Sequence, residues 1–194
     1  MSVSAFFGFL ASLTFLVSVM WYTIDVAKGK VVASIVTFFL SFLINLSILI
    51  SLILKESWGA VPFITVGSVC ALGICIISLR NRRFYIATPD KISACGFILG
   101  IIAWIIVKDP KANLIVVAIT NVIVFLPLAI KTFRYSNTET ALPWRINFLA
   151  SIFLLGTISS PAVASWIVPV QQMAISLPIN LGLLIGNKQL PEGN

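Results

Sequence analysis

Seven apolar runs, separated by short charged connections, leave this chain few ways to fold. They are Val3–Ile24, Val31–Leu54, Trp58–Leu79, Ile92–Val107, Ala112–Ile130, Leu142–Ser160 and Ala162–Ile185. A run of about 20 largely apolar residues matches the hydrocarbon thickness of a bilayer. In lipid the backbone must satisfy its own N–H and C=O groups, so each run is expected to be a helix. The fourth run is the shortest, and Lys91 and Lys108 at its ends can snorkel to the headgroups. Composition agrees: 10% of the 194 residues are charged, against about 25% in a soluble domain. The net charge of +7 does not indicate nucleic acid, because the basic residues lie between apolar runs rather than on a solvated face. The expected class is an all-α integral membrane protein of seven transmembrane helices, with the lipid bilayer as its partner.

The charges also suggest an orientation. Alternate connections collect Lys28, Lys30, Arg80, Arg82, Arg83, Lys91, Lys131, Arg134, Arg145 and Lys188, whereas the others hold only Lys55, Lys108 and Lys111. Basic connections stay on the cytoplasmic side. The expectation is a multi-pass protein of the cell inner (plasma) membrane, N-terminus outside and C-terminus cytoplasmic. No basic region precedes the first run, which reads as a retained helix rather than a usual signal peptide. Cys70, Cys75 and Cys95 lie inside apolar runs without metal-ligand spacing and read as small packing residues. No cofactor or metal is implied.

The stretch Thr120–Asn147 organises the chain. An apolar segment carries Asn121 near its middle and Pro127 beyond it, then ends in a basic hairpin, Lys131 to Arg134. A polar turn leads to Pro143, Trp144 and Arg145. Its pattern echoes the first segment, where Trp21–Ile24 precedes Lys28-Gly29-Lys30. A second echo pairs Trp58 and Pro62 with Trp166 and Pro169. Segments one to three then repeat as five to seven. Three helices bring the chain to the opposite face, so one linker helix restores the orientation and the repeat is parallel. The expected division is residues 1–86 as the first three-helix bundle, 87–109 as the linker helix, 110–187 as the second bundle and 188–194 as a cytoplasmic tail.

This 3+1+3 plan resembles the SWEET and PQ-loop sugar and amino-acid transporters and the seven-helix nicotinamide-riboside transporters. The chain resembles more closely a group of uncharacterised bacterial membrane proteins of the same plan. The residues that carry the resemblance are Asp25, Lys28-Gly29-Lys30, Val36-Thr37, Val61-Pro62, Asp90, Gly100, Trp104, Pro127, Lys131, Ser136, Glu139-Thr140 and Trp144. The Pro-Gln pair is missing: Leu128 follows Pro127, and Trp21 stands at the matching place in segment one. The substrate preferences of those families therefore do not transfer.

Polar groups deep in apolar runs are the candidates for a site, because an unpaired buried polar group costs about 1–3 kcal/mol. Counting inward from segment ends places Asn121, Gln171, Gln172, Asn147 and Thr65 at similar depth, with Trp104 as a stacking platform. These six are the expected substrate-binding residues. Thr14, Ser68, Thr120 and Asn45 lie at comparable depth. Ser, Thr and Asn also tie membrane helices together, at about 0.6 kcal/mol each, and packing is the expectation for Thr14, Thr65, Ser68 and Asn45 taken singly. Pro62, Pro127 and Pro169, with Pro178, are expected to interrupt helices and to serve as hinges. Trp144 and Trp166 fall at segment ends, where an aromatic belt is expected. Gly96-x-x-x-Gly100 and Gly182-x-x-x-Gly186 suit close helix packing. No Asp, Glu, Lys, Arg or His lies in the central part of any segment, and no acid–base or nucleophile–base pair is visible. The chain is therefore expected not to be an enzyme. The expected function is facilitated diffusion of a small neutral or zwitterionic polar solute, a sugar, an amino acid or a vitamin-like molecule, by alternating access of two bundles. The alternative is a non-transporting membrane scaffold or receptor with the same fold. A homo-oligomer is left open.

Overall fold

The computed structural model describes residues 3–54, 56, 58–81, 88–107 and 109–186. The side chains of residues 59, 88, 89, 104 and 110 are outside that description, as are Lys55, Arg82, Arg83, Lys108 and the expected tail at 188–194. Seven α-helices follow one another: α1 (Val3–Ala27), α2 (Ile35–Leu54), α3 (Val61–Arg80), α4 (Thr88–Ile106), α5 (Pro110–Arg134), α6 (Ala141–Leu155) and α7 (Val163–Ile185). No strand occurs among the described residues. α1, α2, α3, α5 and α7 are long and apolar enough to cross a membrane, as a multi-pass helical membrane protein requires.

The helix boundaries follow local chemistry. Asp109 caps α5, its carboxylate accepting from the backbone N–H of Lys111 at 3.2 Å and of Ala112 at 3.3 Å, and Pro110 occupies the first turn, where a missing N–H costs nothing. At its other end α5 runs through Lys131–Arg134, so these residues form its last turn and not a hairpin. Cationic side chains there complement the carbonyl end of the helix dipole. α6 stops at Leu155, short of the expected Ser160. Gly156, Thr157 and Ile158 bond three residues back rather than four, and Gly156 lies so close to the ring of Phe7 that a Cβ would collide with it. Pro62 stands in the first turn of α3, so it does not interrupt a helix as the sequence suggests, whereas Pro127 lies inside α5 and Pro169 and Pro178 inside α7.

Six helices close into a ring. α1 packs on α3, α3 on α2, α2 on α5, α5 on α7, α7 on α6 and α6 on α1, while α4 lies outside against α5 and one side of α2. Lipid tails are as apolar as leucine, so the ring is held by close packing and interhelical hydrogen bonds more than by expulsion of water. The glycine pairs serve this end. Gly96 and Gly100 of α4 fit against Ile123 and Thr120 of α5, and Gly182 of α7 fits against Thr132 of α5, with no space for a Cβ. Ser18 of α1 donates to the Pro143 carbonyl of α6 at 2.7 Å, and Ser151 of α6 meets Ser176 of α7 at 2.9 Å. Many other hydroxyls are satisfied within their own helix, including those of Thr65, Ser68 and Thr120, each bonded four residues back.

The buried apolar residues form two clusters. One, with Ile44, Ile48, Phe63, Val117 and Leu154, lies toward the end that carries the N-terminus and the α2–α3 and α6–α7 connections. The other, with Val26, Phe38, Ile74, Trp144 and Ile179, lies toward the end of the α1–α2 and α5–α6 connections. The latter is called the basic end below.

Candidate functional site

Between the two apolar clusters lies a polar belt. Asn45 of α2, Asn121 of α5, Asn147 of α6 and Gln172 of α7 are all buried and face one cavity of about 70 Å³. All six ring helices contribute to its wall, and none of the described side chains of α4 does. A water needs about 10–15 Å³ on such a scale, so the cavity holds several waters or a small solute.

The four carboxamides form two pairs. Gln172 Nε2 donates to Asn147 Oδ1 at 2.9 Å, and Asn121 Nδ2 donates to Asn45 Oδ1 at 3.4 Å. The second is long for an N–H···O bond, which is typically about 2.9–3.0 Å. Asn45 Nδ2 in turn reaches Ser41 Oγ at 3.5 Å. Asn121 Oδ1 is buried without a partner. An orphan acceptor of this kind costs about 1–3 kcal/mol unless something donates to it. Most of the remaining wall is apolar and rich in aromatic rings, with Ser18, Ser41 and Tyr22 adding hydroxyls, and no charged side chain among the described residues lines it.

The expected site residues divide. Asn121, Asn147 and Gln172 come together on the cavity. Gln171 is buried with its Oε1 unpartnered but lies off the cavity wall. Thr65 does not join the site: it is exposed on the outer face of α3 and bonds the Val61 carbonyl. Depth along a helix does not fix the face, and at 3.6 residues per turn Thr65 falls away from Ile64 and Gly67, which do line the cavity. Trp104 lies on α4, outside the ring, and its side chain is outside the described residues. Trp166 fits a segment-end position, donating to the Pro161 carbonyl at 3.3 Å. Trp144 does not: it is 5% exposed and forms part of the cavity wall. Cys75 is buried, Cys70 lines the cavity and Cys95 is exposed.

Sequence reasoning assigned no place at the site to one group, although Lys131, Glu139 and Trp144 of that group carry the resemblance. Glu139, in the α5–α6 connection, folds back beneath the cavity with its side chain fully buried. Lys131 Nζ lies 2.8 Å from Glu139 Oε1 and also donates to the Val32 carbonyl at 3.2 Å. Trp144 Nε1 approaches Glu139 Oε2 at 3.5 Å. Tyr22 of α1 stands within electrostatic reach of the same carboxylate, its hydroxyl outside hydrogen-bond geometry. Tyr22 and Trp144 separate the charges from the cavity and meet edge-on, with ring centroids 5.7 Å apart. The alternation of apolar and polar residues in the loop carries no signal for this; the clue is Lys131, eight residues earlier, facing the same end.

At the other end, a wider hollow of about 560 Å³ opens between the start of α1, the α2–α3 connection and residues 157–165. Its wall carries the hydroxyl residues Ser4, Thr157, Ser159, Ser160 and Ser165 together with Glu56. Compared with protein-family models, with curated proteins and with solved structures, the chain matches none of them.

Proposed function

We infer that the chain is a membrane facilitator for a small polar solute, working by alternating access between two three-helix bundles, α1–α3 and α5–α7, with α4 as the linker. One observation carries this reading: four carboxamides from α2, α5, α6 and α7 converge on a single cavity walled by all six ring helices. The packing order supports the repeat. In each triplet the third helix lies between the first and second, and the first helix of each packs on the second helix of the other. Asn45 and Asn147 sit on the second helix of each triplet, α2 and α6, and each accepts from a carboxamide of another helix. Pro127, Pro169 and Pro178 supply weak points inside α5 and α7. In this reading the basic end faces the cytoplasm.

The scaffold or receptor reading draws on a different observation: the carboxamides pair with one another, as interhelical ties do. The free Asn121 Oδ1 favours transport over ties alone. A metabolite-wide thermal-shift screen on purified protein separates the two. Transport predicts solutes that stabilise the protein and enter protein-containing liposomes, with stabilisation lost in Asn121→Leu and Gln172→Leu. Pure ties predict a blank screen and lowered stability of both variants without any solute.

A further inference from the structure

The carboxamide belt lies between two groups of aromatic rings. Toward the N-terminal end Phe15 and Phe63 stack with centroids 4.4 Å apart. Toward the basic end Tyr22 meets Trp144 edge-on, and Phe38 meets Phe125 at 6.3 Å. All six rings line the cavity. Between them stands Asn121, 2% exposed, with a free acceptor, Oδ1, beside a donor, Nδ2, that is held only by the 3.4 Å contact to Asn45. A carboxamide edge in this state is complementary to a ligand N–H next to a ligand C=O. Asn and Gln side chains read the edges of bases in the same bidentate way.

We propose that the solute is a flat, uncharged, single-ring heterocycle with a lactam edge, of the pyrimidine-base kind, paired through that edge with Asn121. The proposal rests on the transport reading and narrows it. A zwitterion would bring two full charges into a cavity that no charged side chain lines, and Lys131 and Glu139 already satisfy each other. A sugar presents hydroxyls on every side, and those facing the rings would be left unpaired, at a desolvation cost. A planar lactam instead turns its faces to the rings, as bases do on aromatic side chains, and its polar edge to the belt. The volume of about 70 Å³ limits the ligand to one ring without an attached sugar.

The test uses the purified full chain, with uracil as the probe and orotate, glucose and alanine as comparators, in thermal shift and liposome uptake. Uracil is expected to raise the melting temperature and to enter protein-containing liposomes at least tenfold faster than empty ones. Orotate, which adds a carboxylate to the same ring, is expected to do neither, like glucose and alanine. Asn121→Leu is expected to weaken uracil binding tenfold or more. Asn121→Ser, which keeps one small polar group but cannot present a donor and an acceptor on separate atoms, is expected to do the same and serves if the leucine variant does not fold. Uptake of glucose or alanine without uracil overturns the ligand class and leaves transport standing. Unchanged uracil binding in a folded Asn121 variant overturns the role of Asn121. No response to any of the four overturns the ligand class, and transport falls with it only if the metabolite-wide screen is also blank.

Discussion

Among the described residues two ion pairs stand at the basic end, one where α1 ends and one where α5 ends, and they differ in kind. After α1, Asp25 and Lys30 approach to 3.8 Å, with the lysine side chain 62% exposed. After α5, Lys131 and Glu139 lie 2.8 Å apart, with side chains 16% and 0% exposed. In the first pair the Asp25 side chain is 5% exposed and only the lysine faces solvent, and at 3.8 Å screening and side-chain entropy of that lysine leave about 0–1 kcal/mol. The second is enclosed by Tyr22, Trp144 and the Val32 carbonyl, so its members depend on one another. A lysine and a carboxylate, at the ends of α1 and α5, thus form a long, half-exposed contact in one place and a buried latch in the other. What separates them is the neighbouring helix. Tyr22 reaches across from α1 to roof the second connection.

The largest expected effect comes from breaking the buried pair on one side. Glu139→Ala leaves the Lys131 ammonium enclosed without its carboxylate, and loss of one partner of a buried pair costs about 3–5 kcal/mol. Unfolding in detergent by heat or denaturant measures it. A cost below about 1 kcal/mol would place this pair in the same class as Asp25–Lys30. The double variant Lys131→Met with Glu139→Gln sharpens the comparison, because removing both charges together is expected to cost far less than Glu139→Ala alone. A double cost equal to the sum of the two single costs would show that the charges do not interact.

A smaller effect is expected from Trp144→Phe. It keeps an aromatic ring against Tyr22 but removes the indole N–H that approaches Glu139 at 3.5 Å. The expected cost is about 1 kcal/mol, and it should vanish when Glu139 is already alanine, which leaves no side-chain acceptor. A cost that persists in that background would assign Trp144 to packing alone. The smallest effect is expected from Lys30→Ala, below about 1 kcal/mol and fading as salt is raised. A loss above about 2 kcal/mol that salt does not diminish would erase the distinction between the two connections.

The helices were legible because an apolar run in lipid has one good conformation, and their ends were less so because ends depend on single residues. Asp109-Pro110 starts α5 before the hydropathy rises, and Gly156 against Phe7 ends α6 before it falls. Asn121, Asn147 and Gln172 could be picked out because a carboxamide deep in an apolar run has few uses. Thr65 was misplaced because depth was read without the helical face. Asn45 looked like a tie, and it is one, yet it also lines the cavity. Trp144 was read as a belt residue and Glu139 only as part of a resemblance, and the burial of neither was legible. Each lies within a turn of a polar connection, where water is the default neighbour, and what buries them is Tyr22, more than 100 positions away in the chain.

α6 has 15 residues, which at 1.5 Å per residue is about 22 Å of helix. The hydrocarbon layer of a bilayer is about 30 Å thick. On the side where α6 ends, local thinning of the bilayer is one way to meet a short helix, and the hydroxyl-rich hollow beside residues 157–165 lies on that side. Lipids with longer acyl chains then act on this protein as a load, pressing hydrocarbon against serine hydroxyls. A bilayer of short-chain lipids relieves that load and shortens the dry barrier between the hollow and the carboxamide belt. Thickness of the surrounding membrane, set by the cell's choice of acyl chains, thereby becomes a variable of how this end of the helix ring is wetted.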